Sequence, residues 1–194
     1  ASDAFNQTLT IANPGGGQRV ELVRAFSSVM SSAFSSGVEL RAWLRVEDLA
    51  LENEFALVLE GRAGEQLVKL SLAPGGEGSL AGFSVQGAYA VGGPVARQSL
   101  VATVKQGVWY EVVLRVDLAS KLVDASVRNL SDSDPDQTGQ LSQAFYLIDE
   151  SPSADRIRLI GSTQGVISLD HVRVQSRASA NLMRFGGFER LIAG

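Results

Sequence analysis

A tryptophan set between two arginines is the pattern in this chain best suited to chemistry. In V-E-L-R-A-W-L-R-V, Trp43 stands two residues from Arg41 and two from Arg45, with Glu39 a further two back. Two-residue spacing puts all four on one face of a β-strand. An indole stacks on a sugar ring, and guanidinium forks bind hydroxyls or carboxylates, so the set reads as a ligand platform. The competing reading is packing: Trp43 is covered, and the arginines pair with Glu39 and Glu47 on the same face.

A second cluster is Asp132, Asp134 and Asp136, a D-x-D-x-D run followed by Gly139. Alternating oxygen ligands in a tight loop suit a hard cation such as calcium, which would be structural. The full twelve-residue calcium loop is not formed, because Gln137 takes its sixth position and Gln143 its twelfth. A solvated acidic turn is the alternative. His171 is the single histidine, without a second histidine or a carboxylate pair beside it, and reads as structural rather than as a general base. Trp109 reads as a core tryptophan. Arg156 and Arg158 share a strand face, where they could meet an acidic glycan or mark a solvated edge. With His171, the tyrosines Tyr89, Tyr110 and Tyr146 are the Tyr and His candidates for a catalytic groove, beside an Arg or a carboxylate. There is no cysteine, which removes disulfides, thiolate nucleophiles and Cys-ligated zinc together.

The elements that must position these groups are strands. Apolar residues alternate with polar ones at 38–46, where Val38, Leu40, Ala42, Leu44 and Val46 share the face opposite Trp43. The same period runs through Phe55, Leu57 and Leu59; Val68, Leu70 and Leu72; Ala81, Phe83 and Val85; and Leu100, Ala102 and Val104. Tyr110, Val112, Leu114 and Val116 are expected to pair with Val123, Ala125 and Val127 across a turn at 118–121. Ala144, Tyr146 and Ile148 follow, then Ile157 and Leu159, then a closing strand at 165–175 in which Asp170 interrupts an apolar run. Gly-, Pro-, Asn- and Asp-rich clusters separate these runs. A serine-rich stretch at 26–34 is the one helical candidate. About a dozen strands without βαβ alternation predict an all-β fold of two packed antiparallel sheets.

The chain is 194 residues long, 45% hydrophobic and 20% charged, enough to bury a sizeable core in one domain. Its net charge of -4, without a cluster of Lys and Arg, argues against nucleic acid as a partner. No apolar run approaches the ~20 residues of a membrane-spanning helix, so membrane insertion is not expected.

The hairpin WYEVVLRVDLASKLVDASV resembles the W-x-x-V-x-V-x-x-D hairpin of the concanavalin A-like lectin/glucanase superfamily, laminin-G-like members included. ISLDHVRV resembles that group's closing strand, and SDAFNQTL the start of many bacterial examples. The resemblance covers most of residues 1–175 and implies an antiparallel two-sheet β-sandwich, a concanavalin A-like jelly roll. It also suggests a structural calcium at the sandwich edge, near Asp3 and Asp170. Hydrolases of the superfamily carry E-x-D-x-x-E on one strand, a spacing this chain lacks. Of the R-x-E-L-R motif of alginate-type lyases, only Glu39-Leu40-Arg41 is present. ANLMRFGGFERL resembles the opening of another family of sugar-binding jelly rolls, with Phe185 where asparagine is expected. Residues 176–194 then read as a C-terminal extension or the start of a following module.

The expected function is a non-catalytic carbohydrate-binding or cell-surface recognition module of a secreted or surface-displayed bacterial protein. A polysaccharide or glycan would be its partner, alongside further domains of a modular chain. Two alternatives remain: a structural or adhesive protein-binding sandwich, and a polysaccharide lyase or glycoside hydrolase with an atypical site.

Overall fold

Strands account for nearly all the regular structure. The computed structural model describes residues 9–12, 21–26, 36–48, 54–73, 81–131, 134–162, 165–176 and 182–184. In chain order the strands are β1 (Leu9–Ala12), β2 (Glu21–Ala25), β3 (Val38–Asp48), β4 (Phe55–Glu60), β5 (Gln66–Ala73), β6 (Gly82–Ala88) and β7 (Val95–Val101). They continue with β8 (Trp109–Asp117), β9 (Leu122–Asn129), β10 (Thr138–Tyr146), β11 (Arg156–Ile160), β12 (Val166–Ser176) and β13 (Leu182–Arg184). One short 3-10 turn, Pro135–Gln137, precedes β10.

The strands pair in the order β1-β12-β3-β8-β9-β10-β6-β5-β4-β11-β2, with β13 added to β12 and β7 to β6. Between β10 and β6 the ladder is reduced to the pair Tyr146 and Ala88. The sheet folds over at that seam into two layers. Inward side chains of both layers form one core, in which Leu40, Leu44, Tyr110 and Leu114 meet Phe55, Leu57, Leu70 and Phe83. The Tyr110 and Phe83 rings join the layers edge to face, with centroids 5.3 Å apart. Each such side chain contributes about 1.5–3 kcal/mol through burial. The architecture is the expected antiparallel jelly-roll sandwich.

The β8–β9 hairpin forms in the expected register, with Val112 opposite Val127, Leu114 opposite Ala125 and Val116 opposite Val123. Its turn is held by Asp117 Oδ1, which accepts the N–H groups of Ala119 and Ser120 at 3.0 and 2.9 Å. Lys121 closes it with φ 61°.

Three expectations are corrected. At the end of β10 and just after it the core residues are Phe145 and Leu147 rather than Tyr146 and Ile148, because the register shifts between Leu141 and Phe145; the Ala144 side chain lies outside the described ones. β7 spans Val95–Val101, and Ala102 and Thr103 bend outward instead of continuing it. There β7 and β10 press together: a Cβ on Gly139 would lie 1.8 Å from the Leu100 carbonyl oxygen. β11 is no solvated edge, since it pairs with both β4 and β2. Of the helical candidate at 26–34, only Phe26 lies within the described residues. It is buried, and its N–H donates to the Asp155 carbonyl at 2.7 Å.

The outer face of the β4 layer is covered as well as its inner one. Ala56, Val58 and Ser71 are fully buried yet lie outside the core cluster, and Glu60 beside them is 1% exposed. Glu60 is clamped by two guanidinium groups from β11, Arg158 Nε at 2.9 Å and Arg156 Nε at 3.1 Å. Arg158 also meets Glu21 of β2 at 3.4 Å.

Candidate functional site

β3 has the alternation its sequence demands. Val38, Leu40, Ala42, Leu44 and Val46 are buried, so Glu39, Arg41, Trp43, Arg45 and Glu47 turn to the outer face. Its neighbours complete that face. Trp43 stands opposite Glu111 of β8 and Asp170 of β12, Arg41 opposite Val113 and Arg173, and Arg45 opposite Trp109 and Ser168. Glu39 stands opposite Arg115 and Gln175.

A β-bulge in β12 shapes the platform. Pairing with β3 runs regularly from Ile167 opposite Val46 to Asp170 opposite Trp43 and resumes at Arg173 opposite Arg41. One extra residue is accommodated between them, and His171 takes the left-handed conformation, φ 50°. Its N–H is held by Asp170 Oδ1 at 2.6 Å. The bulge brings His171 onto the outer face, where its imidazole stacks on the Trp43 indole with centroids 3.9 Å apart and planes 20° from parallel. Nδ1 of the ring lies 3.1 Å from Asp170 Oδ1. Trp43 is half-buried in this stack rather than sealed into a core. Strict alternation would place His171 with Leu169; the bulge overrides it.

Around the stack runs a lattice of charges. Arg41 reaches Glu39 and Glu111, both at 3.2 Å. Glu39 also accepts from Arg115 Nε at 2.6 Å and from Gln175 Nε2 at 3.0 Å. Arg128 of β9 joins Glu111 at 3.0 Å. Arg45 pairs with Glu47 at 2.6 Å and lies 5.0 Å over the Trp109 ring. Trp109 is therefore half-buried on the outer face, and its neighbour Tyr110 fills the core position expected of it. Glu39, on the same face, is buried and already engaged by three donors, and so holds Arg41 and Arg115 in place. Burial pushes the Glu47 carboxyl up, but hydrogen bonds from Ser168 and Arg45 and the charge of Arg45 outweigh it. The net effect is a pKa below the ordinary value.

The acidic run separates from this face. Asp132 and Asp3 lie outside the described residues. Asp134 caps the 3-10 turn, its Oδ1 accepting the Asp136 N–H at 3.0 Å, and its Oδ2 meets Lys105 Nζ at 3.1 Å. Among the described residues no three or more His, Cys, Asp or Glu side chains gather closely enough to hold a metal ion. The tyrosines are also elsewhere. Tyr110 is buried and donates to Gln137 Oε1, Tyr89 packs edge-on to Phe145, and Tyr146 lies at the β10–β6 seam.

No family model and no curated protein matches the sequence. Solved structures do match the fold. An alginate lyase from Klebsiella pneumoniae aligns with TM-score 0.51 and 7% identity over 73% of this chain and 60% of the lyase. The GH131 β-glucanase catalytic domain from Podospora anserina aligns with TM-score 0.50 and 17% identity, over 93% of this chain and 74% of that domain. The enzymatically active domain of a bacteriophage CBA120 tailspike protein aligns with TM-score 0.53 and 13% identity, over 89% of this chain but 28% of its own length. This chain thus spans less than two thirds of the lyase and little more than a quarter of the tailspike domain. The likeness is one of fold, and the fold is the concanavalin A-like jelly roll.

Proposed function

We propose that this chain is a non-catalytic carbohydrate-binding module, displayed outside the cell as part of a longer protein, whose ligand platform is the outer face of β3, β8 and β12. The observation that carries the reading is the Trp43–His171 stack. The His171 imidazole lies nearly parallel on one face of the Trp43 indole and props it in the middle of a sheet face, so a sugar would stack on the ring surface the imidazole leaves free, with Arg41 and Arg45 on either side. Sugar rings present C–H faces to such a surface and hydroxyls to flanking donors. β3, β8 and β12 are central or well-paired strands, so the platform is built on rigid backbone and little ordering accompanies binding.

The test is binding to a broad polysaccharide panel by isothermal titration, with calcium and with a chelator, for the wild-type chain and Trp43→Ala. The expected result is binding that falls at least tenfold in Trp43→Ala while cooperative unfolding is retained. A ligand bound equally by both proteins would remove Trp43 from the site. The likeness to lyase and glucanase folds favours a second reading, an enzyme with an atypical site. Appearance of new reducing ends or unsaturated products during the same incubations would replace binding with catalysis.

A further inference from the structure

On the platform face the acids form the inner layer and the cations the outer one. The side chains of Glu39, Asp170 and Glu111 are 11, 13 and 15% exposed, whereas Arg41 and Arg115 are 38% and Arg128 is 62% exposed. The charges nearly cancel in number, yet a ligand arriving from solvent meets guanidinium N–H groups first. Arg173 adds to them. It is exposed, and among the described residues no carboxylate pairs with it. β13 brings Arg184 to the register position opposite it.

Arg173, Arg41, Glu39 and Gln175 line a notch of about 90 Å³. Glu39 lines it without opposing an anion at full strength. Its Oε1 already accepts from Arg41 and Gln175 and its Oε2 from Arg115. The notch therefore offers donors, with its own carboxylate neutralised. Arg41 is two residues from Trp43 on the same strand face, a separation of about 6–7 Å at ~3.3 Å per residue. A sugar stacked on Trp43 would place a substituent of the next sugar over it.

We infer that the platform is selective for anionic polysaccharides, with Arg173 and Arg41 holding a carboxylate or sulfate group in this notch. This rests on the carbohydrate-binding reading. The net charge of -4 works against general attraction of a polyanion, so affinity for one must come from this local arrangement.

The experiment uses backbone-matched pairs: polygalacturonate against its fully methyl-esterified form, and dextran sulfate against dextran. Affinity electrophoresis and isothermal titration are run on wild type, Arg173→Gln, Trp43→Ala and, as a control on the opposite layer, Arg97→Gln. The expected result is at least tenfold tighter binding to the charged member of one pair, with the preferred pair telling carboxylate from sulfate. Arg173→Gln loses at least fivefold of that affinity, and Arg97→Gln retains it. Equal binding to charged and neutral members, still sensitive to Trp43→Ala, overturns the anion preference and leaves the carbohydrate reading standing. Equal losses in Arg173→Gln and Arg97→Gln reveal diffuse attraction and overturn the notch. Binding to none of the four polymers, or to others on a broad panel, overturns both.

Discussion

On the outer face of the β3 layer, carboxylates lie beneath exposed guanidinium groups, and two tryptophans stand among them. On the outer face of the β4 layer, Glu60 is also covered by arginines, but Ala56, Val58 and Ser71 beside it are sealed as well. The same ion-pair chemistry therefore does different work on the two faces. A pair half open to water contributes about 0–1 kcal/mol, so the lattice around Trp43 adds little stability. A carboxylate 1% exposed between two arginines has no water to replace them and ties β11 to β4. One face presents its charges; the other consumes them in closing the sandwich.

Removing a charge from each face sharpens that contrast most. Glu60→Ala leaves Arg156 and Arg158 without their shared counter-charge and is expected to cost about 3–5 kcal/mol in urea unfolding. Arg128→Gln on the platform face is expected to cost less than about 1 kcal/mol. Similar losses from the two would break the comparison. Trp43→Ala is expected to cost about 0.5–1.5 kcal/mol of stability for the lost ring stack, besides the burial of its half-covered indole, and to leave cooperative unfolding intact.

Acid titration gives a smaller effect. Burial pushes the Glu54 carboxyl up, but Lys69, Ser71 and Arg97 beside it outweigh this and leave its pKa below the ordinary carboxylate value. Its folded pKa lies below its unfolded one. The stabilisation is therefore present above the unfolded pKa and disappears as pH falls through the folded value. Glu47 behaves in the same direction on the platform face. Unfolding curves between pH 6 and 3 should flatten in Glu54→Gln more than in Glu47→Gln. A reversed order would mean that the platform face contributes more electrostatic stability than the β4 layer. Smallest of all, His171→Gly should stay within about 1 kcal/mol of wild type, since glycine accepts φ 50° readily and offsets the lost ring contact.

The platform strand was legible because period two in β3 assigns Trp43, Arg41 and Arg45 to one face and five aliphatic residues to the other. What hid His171 was a phase break. The inward residues of β12 are Leu169, then Val172, then Val174, and the three-residue step is where the bulge sits. That step is visible in the sequence once a bulge is considered, and Asp170 next to it supplies the local hydrogen bond the bulge needs. The same kind of shift in β10 puts Phe145 and Leu147 in the core in place of Tyr146 and Ile148. A large ring buries much area and so predicts Trp109 in the core, but Tyr110 is the buried ring there and reaches Gln137 with its hydroxyl. Period two assigns only Phe55, Leu57 and Leu59 of β4 to a buried face, whereas the whole run F-A-L-V-L is buried, as a near-continuous apolar run covered on both faces would be. The ion clamp on Glu60 had no such signal, because it joins residues about a hundred positions apart.

The placement of the two tryptophans also fixes what light can report about this protein. Both stand on the platform face, Trp43 against an imidazole and Trp109 beneath a guanidinium, while the core holds tyrosine and phenylalanine. Indole emission is therefore a gauge of one surface. It should respond to a ligand settling on the stack, and it should stay nearly silent while the interior loosens.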